Sequence, residues 1–476
     1  MSVGNTHEGE ITVIRRRNPL RVLLLILGIG ILFTAVSLGV YFDSSRVTAY
    51  LSQLYENLGF PSNESSNLAG LTANFIRALN VLFYLITLIV AGALSDNFRS
   101  KFGNRMPVIL LGGTISFLAY VIGAVLFSVP ILGEYSPLIF GLLVYVGVAI
   151  GFACIVAPAS ALVSDLFSTQ ERAWVAMGTA FLSSMGTFIG VGLAGFSDFL
   201  FLQIVGVLVL SLSLASFLII PKKNPDIPPV PSLLKEIISA PKYLLSVGAS
   251  QGGGGGNRSF TVMFLVQTCW GVAAFIILGN FASFILEINK QGYQLGINKD
   301  TGLVLLGITG LLFAAPAGII INRFGKTRSA MIGSLMMGFA TFAMAQEVFW
   351  SFFGILIVIS LAGAATILIT TVSVALPADI APKGKAGLFM GLFVFAYNFL
   401  NPIVGILSSY LFLATPDPLA PYATLFLVVT IFEFIAMGLL TFIHYEDVVE
   451  GEYVLMRRRY SQMRYAMRGF RFRRSK

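Results

Sequence analysis

Charge is scarce in this 476-residue chain: Asp, Glu, Lys and Arg together make up 11% of it, while 56% is hydrophobic. Soluble globular domains carry about 25% charged residues, so a water-soluble fold is excluded. Histidine is nearly absent, with His7 and His444 lying outside the apolar stretches, and there is no HExxH and no cysteine cluster. No metal site is therefore expected. The two cysteines, Cys154 and Cys269, each fall inside an apolar stretch, which rules out a disulfide framework and leaves the redox compartment unreadable. No GxxxxGK[ST] loop occurs, which excludes ATP-driven transport within the chain. Without a metal, a phosphate loop or a cofactor motif the chain does not read as an enzyme, although a serine nucleophile with a Lys or Glu base stays open.

What the chain has in abundance is long apolar stretches. A transmembrane helix needs about 20 consecutive apolar residues. Twelve stretches meet that need, at 20–42, 70–94, 107–128, 137–161, 172–196, 199–220, 259–286, 299–321, 329–348, 350–376, 385–412 and 420–443. The first is longer than the roughly 7 to 15 residue core of a cleavable signal, so it is expected to remain as an anchor. The predicted fold class is an all-α membrane protein of twelve transmembrane helices.

Lys and Arg concentrate on the cytoplasmic side of membrane proteins. With twelve spans and cytoplasmic termini, only Arg46, Lys290 and Lys299 of the 31 basic residues fall outside, and Arg77 is intramembrane. The formal net charge of +9 is thus mainly a topology signal of a multi-pass cell-membrane protein. In the tail, Met456, Tyr460, Met463, Met467 and Phe470 recur at helical spacing among basic residues. That pattern suits an amphipathic helix on anionic lipid, or a disordered topogenic tail; it offers no base-reading chemistry, so nucleic acid is not an expected partner. Asn63-Glu64-Ser65, in the predicted first external loop, is a candidate glycan acceptor.

Composition changes after Pro221, where Lys222, Lys223, Asp226, further prolines and the run Gly252 to Gly256 follow. Pro-rich and Gly-rich segments act as spacers. The expected layout is a leader (1–19), a six-helix bundle (20–221), a cytoplasmic linker (222–258), a second bundle (259–444) and a basic tail (445–476). The halves share local patterns. GALSDNFRSKFGNRMP from Gly92, with Asp96, Arg99 and Arg105, is matched by GIIINRFGKTR from Gly318, with Asn322, Arg323 and Arg328. PASALVSDLFSTQER, with Asp165 and Arg172, is matched by ALPADIAPKGKAG, with Asp379 and Lys385.

The first motif resembles the signature loop between helices two and three of the major facilitator superfamily, and its long form is most similar to the sucrose and glycoside cation symporter branch. The resemblance spans both halves and implies two six-helix bundles related by a pseudo-two-fold axis, moving against one another by alternating access. It departs from the pattern at Asn322, where the family usually has an acid, and at Asn104 and Met106, where the sugar branch tends to be basic. The resemblance implies that Asp96 sits against the N-terminus of helix eleven. On the residues themselves, Gly92 suits close packing of two helices in lipid, Arg99 or Arg105 can pair with Asp165, and Asp379 can pair with Lys326 or Arg328. Together with Arg172, Asn322 and Arg323 these make a cytoplasmic gate. The bland alternative is that the charges only stop the helices from sliding.

An ionisable residue inside the membrane is a functional candidate by default. Arg77 shares a helix face with Asn74, Asn80, Tyr84 and Thr87, which suits cavity lining and makes it a candidate for substrate binding and coupling; the alternative is an arginine that snorkels to the interface. Glu433 lies deep in the last span and reads either as a coupling site or as a structural hydrogen bonder. Thr34, Ser37, Tyr41, Gln267, Trp270, Thr366, Thr370, Ser373, Tyr397, Asn398 and Asn401 form further polar stripes. Amides and rings suit a polyhydroxylated solute, whereas single Ser and Thr often bond back to their own helix. Pro402 should disturb the helix beside Asn401.

The function expected from the sequence is secondary transport of a small polar solute, with sugar leading, coupled to protons or another cation, by a monomer. The rivals are an exporter of a hydrophobic compound and a non-transporting sensor or lipid flippase.

Overall fold

The computed structural model describes residues 19–59, 61–128, 139, 142–193, 198–222, 256–293, 295, 299–381, 385–415, 417 and 419–443. The leader, nearly all of the linker and the basic tail lie outside the described residues. Among those described, every regular element is helical.

In chain order the first half contains α1 (Pro19–Asn57), α2 (Ser62–Asn97), α3 (Met106–Ser128), α4, α5 (Thr169–Leu193) and α6 (Asp198–Ile219). Helix α4 opens with a π-helical turn, Leu142–Val146, and continues as Gly147–Leu166. The second half contains α7 (Gly256–Lys290), α8 (Lys299–Phe324), α9 (Lys326–Met344), α10 (Phe352–Ile380), α11 and α12 (Ala420–Leu440). Helix α11 comes in two pieces, Ala386–Asn398 and Asn401–Ala414. Eleven of these helices are long and apolar enough to cross a bilayer. The exception is α9, which has 19 residues and opens on Lys326-Thr327-Arg328.

The helices of each half pack mainly on one another. Helix α1 lies against α2, α5 and α6, and α3 against α4 and α6; in the second half α7 lies against α11 and α12, and α9 against α10 and α12. The two bundles meet along α2–α11, α4–α11, α5–α8 and α5–α10.

Three helices outrun their apolar stretches: α1 has 39 residues, α2 has 36 and α7 has 35. At 1.5 Å per residue each exceeds the ~30 Å hydrocarbon core. Hydropathy marks only the apolar part of such a helix. The predicted external loop around Asn63 is therefore corrected: Gly59, at φ 90°, ends the first excursion, Pro61 precedes the next helix, and Asn63 sits in the first turn of α2.

Candidate functional site

One end of the molecule carries both copies of the repeated loop, between α2 and α3 and between α8 and α9. Each loop turns at a glycine in the left-handed region, Gly103 and Gly325, both at φ 85°. A side chain there would be strained.

Across this end α2 meets α11 backbone to backbone. A Cβ on Gly92 would lie 2.3 Å from the Gly387 carbonyl oxygen, and one on Gly391 would lie 2.6 Å from that of Leu88. Only glycine permits that approach. It carries Asp96, one turn beyond Gly92, onto the first amides of α11: Gly387 N donates to Oδ1 at 2.9 Å and Leu388 N to Oδ2 at 2.8 Å. Helix α11 has no side-chain cap from its own Lys385, so a carboxylate from the other bundle supplies it, where the helix dipole favours an anion.

Arg105 joins this cap to α4. Its Nη1 lies 2.5 Å from Asp96 Oδ1 and 2.7 Å from Ser95 Oγ, and its Nε donates to Asp165 Oδ2 at 2.9 Å. Burial works against the Arg105 charge, and Asp165 and Asp96 together outweigh it, leaving the guanidinium above its ordinary pKa. Asn104 Nδ2 donates to the Ser95 carbonyl at 3.0 Å and ties the loop to the end of α2.

The second cluster lies where α5 begins and α10 ends. Arg172 Nη1 donates to Asp379 Oδ1 at 2.9 Å and to the Ala378 carbonyl at 3.0 Å, while its other nitrogens hold the carbonyls of Phe167 and Ser164 at 3.1 and 3.0 Å. Lys326 Nζ bonds the other oxygen of Asp379 and reaches back to the Thr169 carbonyl at 2.8 Å. The Asp379 side chain is fully buried. Burial pulls the Lys326 ammonium below the usual lysine range, against the opposing pull of Asp379. Both the Arg172 and the Lys326 contacts cross between the bundles, and beside them Trp174 and Met177 of α5 cover Gly318 of α8.

Four residues named from the sequence stand apart from these clusters. Arg99 donates to the carbonyls of Asp96 and Phe98 at 2.7 and 2.9 Å, at the C-terminal end of its own helix, while Arg105 bonds Asp165. Asn322, Arg323 and Arg328 are exposed. Arg323 lies over the Phe324 ring. The second-half cation is Lys326, the first residue of α9; Arg328 stands two residues on, roughly 200° around the helix, and faces away. Neither Lys326 as a bridge between bundles nor the Gly387–Gly391 approach was read from the sequence. GLFMG, a GxxxG spacing that marks close helix contacts, was the available signal.

Midway along the bundles the expected polar wall is largely engaged internally. Gln267, 3% exposed, donates to the Ser373 carbonyl at 2.7 Å. Trp270, 1% exposed, donates to Ser334 Oγ at 2.8 Å inside the second bundle. In this state α7 turns both toward neighbouring helices, Gln267 to α10 and Trp270 to α9. Thr34 bonds the carbonyls of Gly30 and Leu182, Ser37 pairs with Ser183, and Thr366, Thr370 and Ser373 bond back within α10.

What α1, α2, α4 and α11 bring together instead is apolar: Leu85, Leu88 and Val156, with Val36, Tyr84, Phe395 and Phe399 packed on them. Helix α11 breaks directly after this face. Asn398 bonds the Val394 carbonyl at 2.8 Å, Asn401 Nδ2 reaches Asn398 Oδ1 at 3.2 Å, and Asn401 Oδ1 is buried without a hydrogen-bond partner. The side chains of Asn74 and Arg77 lie outside the described residues. Glu433 is 1% exposed and faces the second bundle's interior. Among the described residues no group of His, Cys, Asp and Glu is placed to hold a metal ion.

A Major Facilitator Superfamily profile matches residues 22–399. No curated protein matches by sequence. Among solved structures, the human organic anion transporter MFSD10 (TETRAN) is similar at 17% identity and TM-score 0.65, covering 88% of this chain and 98% of its own. A bacterial homologue of the iron transporter ferroportin, in its outward-facing state, gives 14% and 0.62 with 88% and 98% coverage. The proton:xylose symporter XylE gives 15% and 0.58 with 88% and 94% coverage.

Proposed function

The chain belongs to the Major Facilitator Superfamily, and on that premise we propose that it is a cation-coupled secondary transporter of a small, neutral, amphipathic solute, seen with its cytoplasmic end shut. The observation that carries this reading is the pair of charge clusters that tie the two bundles together at one end through Asp96, Arg172 and Lys326. Alternating access needs a seal that holds in one state and breaks in the other, and buried ion pairs lose their advantage as soon as water enters. In this reading Gly92, Asp96, Arg105, Asp165, Arg172, Lys326 and Asp379 are the gate.

The positive-inside rule supports assigning the sealed end to the cytoplasm. Arg99, Lys101, Arg105, Lys222, Arg323, Lys326 and Arg328 cluster there, whereas Lys290 and Lys299 lie at the opposite end.

The wall supports this solute class. Hydroxyl-rich solutes need several free polar partners, and Gln267, Trp270 and the Thr and Ser stripes are bonded elsewhere. A solute with an apolar body suits Val36, Leu85, Tyr84, Phe395 and Phe399, with a single donor for Asn401 Oδ1. The test is uptake into proteoliposomes under an inward proton gradient, with a labelled disaccharide and a labelled amphipathic alcohol in parallel. Accumulation of the alcohol that an uncoupler abolishes is expected. Accumulation of the disaccharide alone would overturn the solute class and leave the transporter reading intact; accumulation of neither, across a wider panel, would favour a sensor or flippase.

A further inference from the structure

Glu433 lies far from the gate, near the middle of α12, with 1% of its surface exposed. Helix α12 packs on α7 and α9. From α9 the Ser334 hydroxyl reaches the Glu433 carboxyl, and from α7 and α11 Cys269 and Tyr397 lie within its field. Trp270 Nε1 donates to that same Ser334 oxygen at 2.8 Å. A hydroxyl that accepts from an indole keeps its own proton to give, and Glu433 is the acceptor it faces. The second carboxyl oxygen, Oε2, is buried with no hydrogen-bond partner.

The charged residues of the packed helices stand at their ends: Arg258, Glu287 and Lys290 on α7, Lys326 and Arg328 on α9, with no other on α11 or α12. Thr341 and Thr430, one turn away, are bonded to each other and to carbonyls of their own helices. Among the described residues an anionic Glu433 would thus have one donor and no cation beside it in an apolar core, an environment that penalises a bare charge.

We propose that Glu433, with Ser334 and Trp270, is a proton-binding site inside the second bundle, and that its loss of a proton is transmitted through α7 and α11 to the gate. The route is built from close contacts. Gly271 follows Trp270, and a Cβ there would lie 1.6 Å from the Tyr397 carbonyl oxygen, so α7 and α11 cannot move independently at this point. Tyr397 immediately precedes the α11 break, and the first amides of α11 are the ones that Asp96 caps. A proton leaving Glu433 makes an anion that the Trp270–Ser334 pair must turn to solvate. That turn shifts the Gly271 seat, the break and the capped end together. The inference rests on the transporter reading and adds to it a coupling ion and an address off the solute path.

The test uses the full chain in lipid nanodiscs with Trp174→Phe and Trp350→Phe, which leave Trp270 as the sole tryptophan. Ala378→Cys, at a position 1% exposed beneath the Arg172 contact, reports opening of the gate through its rate of maleimide labelling; both native cysteines are buried. The expected result is a single-proton transition in Trp270 emission that Glu433→Gln abolishes. Ser334→Ala, which removes the donor to the anion, moves the transition to higher pH, and the labelling rate changes several-fold over the same pH range. A flat emission curve, a transition unchanged in Glu433→Gln, or emission that titrates while labelling stays constant would each overturn the proposal. Should Glu433→Gln not fold, the Ser334→Ala shift decides alone. Asp96→Asn separates the two readings. If it speeds labelling at every pH, the gate stands even where the proton site fails; if neither it nor pH changes labelling, the alternating-access reading fails as well.

Discussion

The two charge clusters close the same end of the molecule with inverted centres. At the α2–α11 seam one cation, Arg105, sits between two carboxylates, Asp96 and Asp165. At the α5–α10 seam one carboxylate, Asp379, sits between two cations, Arg172 and Lys326. Each imbalance is met by a helix end of the opposite sign. The surplus acid lies on the amides that open α11. The surplus base lies on carbonyls, those of Ala378 at the end of α10 and of Ser164, Phe167 and Thr169 where α4 gives way to α5. Repeated halves therefore need not repeat residues: what the two seams share is charge balanced across a helix terminus, and Asn322 lacks an acid without leaving its half unsealed.

The comparison breaks most readily at its centres. Arg105→Gln strands the buried Asp96 and leaves the more exposed Asp165 unpaired, and Asp379→Asn strands the buried Lys326 and the partly buried Arg172. Removing one partner of a buried pair costs about 3–5 kcal/mol, so both variants should lower the apparent thermal midpoint strongly and by similar amounts. The inversion makes a sharper forecast for second-site partners. Asp165→Asn should restore part of the loss in Arg105→Gln, and Lys326→Met part of the loss in Asp379→Asn, whereas the exchanged pairings should restore nothing. Equal rescue by either partner would show that the clusters are not separate units.

A middle-sized effect should separate the seams by their packing. A Cβ on Gly387 meets Arg105 Nη1 at 2.4 Å and the Gly92 carbonyl at 2.5 Å, whereas one on Gly318 meets Met177 Sδ at 2.5 Å and the Trp174 ring at 2.9 Å. Backbone cannot yield and a methionine side chain can. Gly387→Ala should cost about 1–3 kcal/mol, the usual range for overpacking, and should speed labelling of Ala378→Cys. Gly318→Ala should leave the labelling rate within about twofold, an effect of under ~0.5 kcal/mol.

Much of this was legible in the sequence, for identifiable reasons. The apolar stretches are set by the bilayer, so the helices were visible, and the paired motifs marked the charged end. Where the sequence left alternatives open, one-dimensional spacing lacked a rotation or a partner. Arg99 and Arg105 are equally basic, but only Arg105 follows the left-handed turn at Gly103 that aims it at Asp165. Lys326 and Arg328 were both candidates for Asp379, and Lys326, which opens α9, is the one that bonds it and reaches the Thr169 carbonyl across the seam. Sequence cannot say which neighbour a helix face meets, and for Gln267 and Trp270 the hydrogen-bonded neighbours are α10 and α9. The break in α11 was visible in Pro402, while the unpartnered oxygen of Asn401 came only from packing.

The smallest effect tests whether the missing acid matters. Restoring the family pattern with Asn322→Asp puts a carboxylate on an exposed position at the end of α8, and its nearest helix terminus is the carbonyl end of α8 itself, which disfavours an anion. Surface substitutions of this kind usually stay within about 0.5 kcal/mol. Thermal midpoint and Ala378→Cys labelling should therefore hardly change, whereas Asp96→Asn, which weakens a buried charge-assisted cap, should cost about 1–3 kcal/mol. A large gain in stability from Asn322→Asp would mean that α5 offers its first amides to α8 as α11 does to α2. The two seams would then be built alike, with Lys326 and Arg172 as additions rather than as the substitute for an absent acid.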